Sequence, residues 1–427
     1  MDELINMNFS ARGKSIANPV DEAAMEQDFH QFCKEFSIKD HAEGFRQYAL
    51  RLRQLGNFIG AAQYFIKAIN LNHRHKKKLF IDDFKLAATC FYAMRQYQAA
   101  IEISQMALQV DPNNIGIISN CGLYWSGLGN FAEAEKYFKK CLEIDNMYLN
   151  AYDGLARALG KQNKLDAALS CGRQSLTIKN QLAFSEDNLN LLKHDVPWPY
   201  TIDNAIPPFN PNAPERNIIA YSLWGNDPNY LKPALLNANL AKVIYPEWTC
   251  RFYCDKSLPE DVVQQLARTG AQVIMELKGN RAFEGLFWRF KVISDHNIDR
   301  FMIRDCDSIL TLPERAAVEE WLVSNKHFHI MRDHYGHTEL ILAGLWGGVG
   351  NTLPDMDVLI NDFMANNFMT RTIDQQFLRT CVWPLIHKHC LTHDSYYHFN
   401  NGKDFPKLNN WPKDYPHIGS NWQHMKK

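Results

Sequence analysis

No stretch of this sequence is apolar for long enough to cross a bilayer: the longest apolar run, Leu340 to Gly350, falls far short of the ~20 residues a spanning helix needs. Met1-Asp2-Glu3 is acidic and no apolar segment follows it, so no secretory leader is expected. Net charge is nearly missing too, at -1 over 427 residues. That balance excludes a general nucleic-acid binder and gives no global attraction to anionic membranes. The ten cysteines stand singly apart from Cys250 and Cys254, and several fall where helix cores are expected. A disulfide framework is thereby excluded, and reduced thiols in the cytoplasm, including the periphery of the inner membrane, are the simplest account. A zinc pattern is lacking as well. Histidines gather at His327, His329, His334 and His337 and again at His387, His389 and His393 beside Cys390, yet Cys250-x-x-x-Cys254 is too isolated to complete a tetrahedron with them. Ordinary polar or semi-buried histidines are expected.

What is present is apolar and aromatic side chain, at 46% and 12%, enough for fully folded structure. The length exceeds one ordinary core, so two or three domains are expected. Residues 1–41 are polar and mixed, with a helix expected from Pro19 to Phe36. From Ala42 the sequence echoes itself. Passes begin at 42, 81, 115 and 149, separated by 39, 34 and 34 residues, the extra five matching the basic insertion around His73 to Lys78. Small residues recur at the eighth and twentieth positions and mostly aromatic ones at the seventeenth. Small residues let the two helices of a hairpin approach, and the large ones fill the groove against the next hairpin.

This period and pattern resemble the tetratricopeptide repeat. The resemblance implies an α-solenoid over 42–195, about four repeats plus a closing helix near 184–194 that shields the last repeat, with a concave face for a peptide or protein partner or an array that only caps or dimerises the rest of the chain. Six prolines between Pro197 and Pro214 then mark 196–216 as a linker.

Over 217–427 the pattern alternates. Strands are expected at Ile218–Ser222, Thr249–Tyr253, Ala271–Met275 and Arg300–Ile303, with helices at Tyr230–Ile244, Pro259–Thr269 and Phe283–Ser294. Such alternation implies a mainly parallel sheet covered on both faces, with ligands beyond the carboxyl ends of the strands. Each of those ends turns functional: Ser222-Leu223-Trp224-Gly225, Cys254-Asp255-Lys256, Glu276-Leu277-Lys278-Gly279 and Arg304-Asp305-Cys306-Asp307. On an extended backbone Asp305 and Asp307 converge on one side, an oxygen pair suited to Mn²⁺ or Mg²⁺ shared with a diphosphate. Tyr221, Ser222, Asp255 and Arg304 are the strand-end candidates for holding a nucleotide. A phosphoryl-transfer reading lacks its glycine-rich loop, since Trp224-Gly225-Asn226-Asp227 stands where that loop would be.

This order of strands, an arginine-bearing helix and an apolar strand ending in Asp-x-Asp resembles the nucleotide-binding half of GT-A glycosyltransferases, with the glycogenin and lipopolysaccharide-galactosyltransferase family as the nearest echo. The resemblance implies a GT-A domain and a metal-dependent transfer from a nucleotide sugar, a UDP-sugar foremost, with retention of configuration. It implies that Arg289 in Phe287-Trp288-Arg289-Phe290 meets the nucleotide or its diphosphate, that Asp374 and Gln375 shape the reaction centre, and that His417, in His417-Ile418-Gly419-Ser420-Asn421-Trp422, is a third metal ligand. Glu339 and Asp333 are candidate general bases, Trp346 a candidate sugar-stacking ring, and the aromatic tail Tyr396 to Trp422 a cover that excludes water. The expected acceptor is a protein or glycan. A non-catalytic repeat scaffold carrying a sugar- or nucleotide-binding domain is the alternative.

Overall fold

The structure, a computed structural model, describes residues 22–202, 205–275, 283–368, 370–409 and 416–423. It divides into two compact units, 1–171 and 172–427.

The first unit is a run of antiparallel helices: α1 (Glu22–Glu35), α2 (His41–Gln54), α3 (Phe58–Arg74), α4 (Ile81–Ala93), α5 (Tyr97–Val110), α6 (Ile115–Gly127), α7 (Phe131–Ile144), α8 (Leu149–Lys161) and the start of α9 (Leu165–Ala183). Residues 19–21 of the expected first helix lie outside the described residues. The turn inside each hairpin needs one residue in the left-handed region, and Gly56, Arg95, Gly129 and Asn163 supply it with φ of 78°, 59°, 79° and 59°. Their spacing, 39, 34 and 34, is that of the repeat starts. Asparagine follows directly where the position is glycine. Asn57 Oδ1 accepts from Gly60 N at 2.9 Å and Asn130 Oδ1 from Glu133 N at 3.2 Å, so one helix ends and the next is capped within two residues. The small positions act as expected. A Cβ on Gly122, at the eighth position of its repeat, would stand 2.7 Å from the Phe138 ring, and one on Gly154, at the sixth position of the next, 2.3 Å, so the ring fills the space both glycines leave.

In the second unit, β1 (Asn217–Leu223), β2 (Thr249–Cys254), β3 (Gln272–Met275), β4 (Arg300–Arg304), β5 (Phe328–Arg332), β6 (Leu345–Val349) and β7 (Cys390–Asp394) form one sheet in the order β3-β2-β1-β4-β6-β5-β7. Four neighbouring pairs are parallel, and β6 runs antiparallel to both β4 and β5. β1, β4, β5 and β6 are buried almost end to end, as strands covered on both faces must be. The covering helices are α11 (Pro228–Ile244), α12 (Glu260–Arg268), α13 (Gly285–Trp288), α14 (Leu312–Leu322), α15 (Met356–Asn366), α16 (Ile373–Phe377) and α17 (Trp383–Ile386), numbered after α10 (Glu186–Asp195). The arginine-bearing helix is shorter than expected, because α13 tightens into a 3-10 turn over Arg289–Ser294.

Two boundary expectations change. The units part between Cys171 and Gly172, not in the proline-rich stretch. The end of α9 belongs with the sheet because Lys179 is buried there, donating to Thr338 O at 2.9 Å and pairing with Glu339 at 2.7 Å, while Trp383 Nε1 donates to Asn180 Oδ1 at 2.8 Å. The expected closing helix forms as α10, but Asn188 Nδ2 donates to Thr380 O of this same unit at 3.0 Å. Linker residues are likewise bound down, as where Asn217 Nδ2 donates to Asn210 O at 2.9 Å and Tyr200 Oη to Thr352 O at 3.0 Å.

One buried charge in the first unit yields a test. Asp83 is 1% exposed, and Arg46 Nε lies 2.8 Å from its Oδ1 but out of line for a hydrogen bond. Burial outweighs the ion pair and carries this carboxyl up to about 6. That value stands above the ~3.9 of an unfolded aspartate, so the folded unit binds more protons between ~4 and ~6 and loses stability as pH rises through that window. Hydrogen exchange of α2 and α4 in the full chain should therefore be slowest near the acid end, after correction for intrinsic rates. Asp83→Asn should flatten the profile and protect both helices at pH 7, by on the order of 2 kcal/mol. A pH-independent wild type would contradict the account.

Candidate functional site

β1 and β4 are adjacent and parallel, so the chain leaves both at the same edge of the sheet. A cavity of about 380 Å³ opens there, lined by Ser222 and Trp224–Asp227 after β1, Tyr230 of α11, Arg289, Asp305 to Asp307 after β4, and Arg371. β4 ends at Arg304, so the two aspartates sit on a turn and not on extended strand as expected. Ser308 Oγ closes the turn by donating to Asp305 O at 3.1 Å. Both carboxylates still line the cavity. Cys306 between them is buried, its thiol donating to Ser222 O at 3.3 Å, and burial pushes that thiol well above its usual range.

Arg289 is the hub of the polar contacts. Its backbone N donates to Ser222 Oγ at 2.9 Å, and its guanidinium donates to Asp305 Oδ1, to Arg304 O at 3.1 Å and to Asp374 Oδ2 at 2.9 Å. The side chain is buried, where a cation persists only if paired. Asp374 is 4% exposed, and burial, with Asp305 nearby, raises its carboxyl despite the guanidinium. Asp307 is raised by burial and then by Asp305, against the hydrogen bond that Asn421 Nδ2 donates to its Oδ2 at 2.9 Å. Three carboxylates thus face one buried guanidinium, with Arg371 the other cation at the cavity wall among the described residues. Chemically, the mouth is an oxygen-rich site that a further cation would neutralise.

The other predicted residues separate into those beside the cavity and those elsewhere. Gln375 Oε1 accepts from Ala343 N at 3.3 Å, and the next residue, Gly344, passes so close that a Cβ there would meet Asp305 Oδ2 at 2.1 Å. Asp255 does not line the cavity. It accepts from Ser257, whose Oγ in turn accepts from Gly225 N at 2.8 Å, so it supports the loop that does. Tyr221 is fully buried and stacks on Phe252 at 4.8 Å, and strand alternation takes it to the core while Ser222 reaches the cavity. Arg304 likewise points away from the acids, donating to Glu314 Oε1 at 2.6 Å and to Trp346 O at 3.0 Å. Glu339 is spent on Lys179 at 2.7 Å and Arg379 at 3.7 Å. Trp346 is fully buried, edge-on to Phe301, and offers no stacking face. Asp333 accepts from Ile418 N at 2.8 Å. His417 gathers with His334 and His337 and not with the aspartates, because the chain turns between it and Asn421. The Glu276 to Gly279 strand end lies outside the described residues.

Sequence reasoning missed Arg371 and Tyr230. Their neighbours held the signal, since Arg371 lies three residues before Asp374 and Tyr230 three after Asp227. Tyr230 is raised by burial and by Asp307, and Arg371 hydrogen-bonds it. Trp224 is 38% exposed at the rim, seated on Gly285 and edge-on to Trp288 at 5.8 Å.

A family model for the tetratricopeptide repeat matches residues 123–146, the end of α6 and all of α7. No curated protein matches the chain. Among solved structures, the chain is similar to MamA at 16% identity, over 40% of this chain and 100% of that one, with a TM-score of 0.33. It is similar to a mutant O-GlcNAc transferase of Thermobaculum terrenum at 15% identity, over 55% of this chain and 41% of that one, with a TM-score of 0.36. It is also similar to YrrB, described as a tetratricopeptide-repeat protein with an unusual peptide-binding site, at 16% identity over 36% and 78%, with a TM-score of 0.31. A tetratricopeptide repeat is therefore present, within a run of helices that fits such a solenoid, and a mixed sheet with helices follows it. No helix among the described residues is long and apolar enough to cross a membrane.

The reassignment of Arg304 has a measurable consequence. Arg304 and Glu314 are each 2% exposed, so Arg304→Met leaves a buried carboxylate without its partner and should destabilise the second unit by about 3–5 kcal/mol. Denaturant unfolding measures this, and adding Glu314→Leu should recover most of the loss. An Arg304→Met protein of undiminished stability would return the residue to the ligand-contact role.

Proposed function

We propose that the second unit is a GT-A-type, metal-dependent glycosyltransferase that moves a sugar from a nucleotide sugar, a UDP-sugar foremost, to a protein or glycan acceptor. The repeats recruit that acceptor or a partner protein. The observation that carries the reading is the carboxylate pair Asp305 and Asp307, set on the turn after a central strand at the wall of a cavity of about 380 Å³. Support comes from the electrostatics, since Asp307 is held in a raised state by burial and by its neighbour. A cation between the two would relieve that without protonating either.

The residues fit a hard divalent ion. Arg289 and Asn421 each engage one carboxylate oxygen of the pair, which does not exhaust the four. Mn²⁺ or Mg²⁺ prefers such oxygens and keeps positions for phosphate oxygens. When bound, the ion supplies Lewis-acid stabilisation of a leaving diphosphate. The chain's own groups do the rest. Arg371 offers a donor to the phosphates from the cavity wall, and Trp224 an exposed ring face for a base or sugar. Arg289, held by Asp374, fixes Asp305. Gln375 fixes the backbone at Ala343 beside the acids. Glu339, being salt-bridged elsewhere, is not assigned the base. Retention of configuration follows only from the family resemblance.

Calorimetric titration of a nucleotide-sugar panel, with and without Mn²⁺, tests this. One donor should bind at least ~10-fold more tightly with metal, and Asp305→Ala/Asp307→Ala should abolish the difference. Gly344→Ala should do the same in a folded protein, because its methyl group takes the place of Asp305 Oδ2. Metal-dependent affinity should fall as pH is lowered through the raised carboxyl of Asp307, since the protonated form does not ligate. Failure of a well-folded wild type to bind any donor would leave a non-catalytic repeat scaffold.

A further inference from the structure

We propose that His334, His337 and His417 form a second metal site, a three-imidazole site for a transition-metal ion of the zinc type, that staples the C-terminal segment to the sheet unit. His334 and His337 lie in the turn after β5, and His417 belongs to the described segment 416–423. One ring nitrogen from each falls within 4.8 Å of the others. The rings of His334 and His417 have centroids 4.0 Å apart, and that of His337 stands 4.8 Å from His417 at 84°. Zinc takes imidazole at about 2.0–2.1 Å in tetrahedral geometry, and three protein ligands leave the fourth position to water. Modest side-chain rotation brings nitrogens so spaced onto one ion.

A second observation separates this cluster from ordinary packed histidines. Asp333 N donates to His337 Nδ1 at 3.3 Å, while Asp333 Oδ1, 3.3 Å from the same nitrogen, is buried and has no hydrogen-bond partner among the described residues. One nitrogen cannot accept from the amide and donate to the carboxylate at once. As the side chains stand, Nδ1 accepts from that amide and is out of line for Oδ1; ligation through Nε2 would move the proton to Nδ1 and turn it onto Oδ1, the carboxylate–histidine–metal arrangement, which also gives this buried oxygen its partner. His417 already has that tautomer, with Nδ1 donating to Ile418 O at 3.0 Å. His334 Nδ1 likewise accepts from a backbone amide, Gly336 N, and at 3.0 Å the bond is shorter than that at His337, so its ligation gives up more and its removal should cost the least affinity.

The ligand chemistry sets this site apart from the acids. Imidazole selects zinc, copper or nickel, whereas carboxylates select the harder ions. Mechanically, the stapled segment reaches the acidic turn. Ile418 N donates to Asp333 Oδ2 at 2.8 Å, and four residues on Trp422 N donates to Asp307 O at 2.9 Å. An ion at His417 therefore anchors the segment whose other end orders Asp307. The inference stands whether or not the second unit is a transferase.

The full-length protein, stripped with a chelator and desalted, would be titrated with Zn²⁺ against a chromophoric competitor and with Co²⁺ by visible absorption. A single saturable equivalent with tetrahedral-type Co²⁺ bands is expected. His337→Ala and His417→Ala should weaken it more than ~10-fold, and Asp333→Asn by ~10-fold or more through the tautomer its carboxylate would hold once the ion binds. Asp305→Ala/Asp307→Ala should leave it unchanged. Absence of a saturable equivalent in wild type, or its loss in the aspartate variant alone, would overturn the site. Should a histidine variant not fold, hydrogen exchange of the wild type decides. Zn²⁺ should slow exchange in both 333–337 and 416–423, and an unaltered pattern would overturn the staple.

Discussion

A buried guanidinium cannot stay charged without anionic partners, and in the second unit that constraint falls on Arg289. Its partners come from separate places in the chain: Asp305 after β4 and Asp374 in α16, with Ser222 at the end of β1 accepting from its backbone. One residue, through its backbone amide and its guanidinium, thereby ties two strand ends and a helix together. The pairing leaves the cavity mouth acidic, because Asp307 is added to a cluster whose positive charge is already spent. The acidity of the cavity mouth is thus a result of how the arginine is satisfied.

Around that hub, close backbone approach does the positioning. Gly344 lies where no side chain fits beside Asp305, and Gln375 holds its neighbour Ala343. After β1, Asp255 acts through Ser257 on the backbone of Gly225, whose φ of 75° lets the loop turn at the cavity. The C-terminal segment adds Asn421 and Trp422 to the acidic turn. Residues that never enter the cavity therefore decide its geometry.

The helical unit obeys a different logic. Its contacts repeat, so each hairpin solves the same packing problem, with a left-handed turn residue every 34 or 39 positions and a large ring seated against small neighbours. Arg95 and Asn163 occupy turn positions that glycine fills in the other two hairpins, and both persist because the flanking helices fix the turn.

The sequence by itself determined the repeat period, the alternation of the first four strands with helices, and the delivery of two acids at the end of an apolar strand. Each of these is local, since burial repeats with the period of the element and turn chemistry marks where the element stops. What only the tertiary structure decided was partnership. Nothing near Arg304 or Tyr221 in the chain says that they turn into the core, toward Glu314 and Phe252, while Ser222 and Asp305 turn outward. Nothing near Lys179 says that it is buried against Glu339, which moved the unit boundary to Cys171 and took that carboxylate out of the candidate site. The meeting of His417 with His334 and His337 spans about eighty residues, as does that of Arg289 with Asp374. Pattern records how deeply a residue is buried, but which group pays the desolvation of a buried charge is settled only when distant segments meet.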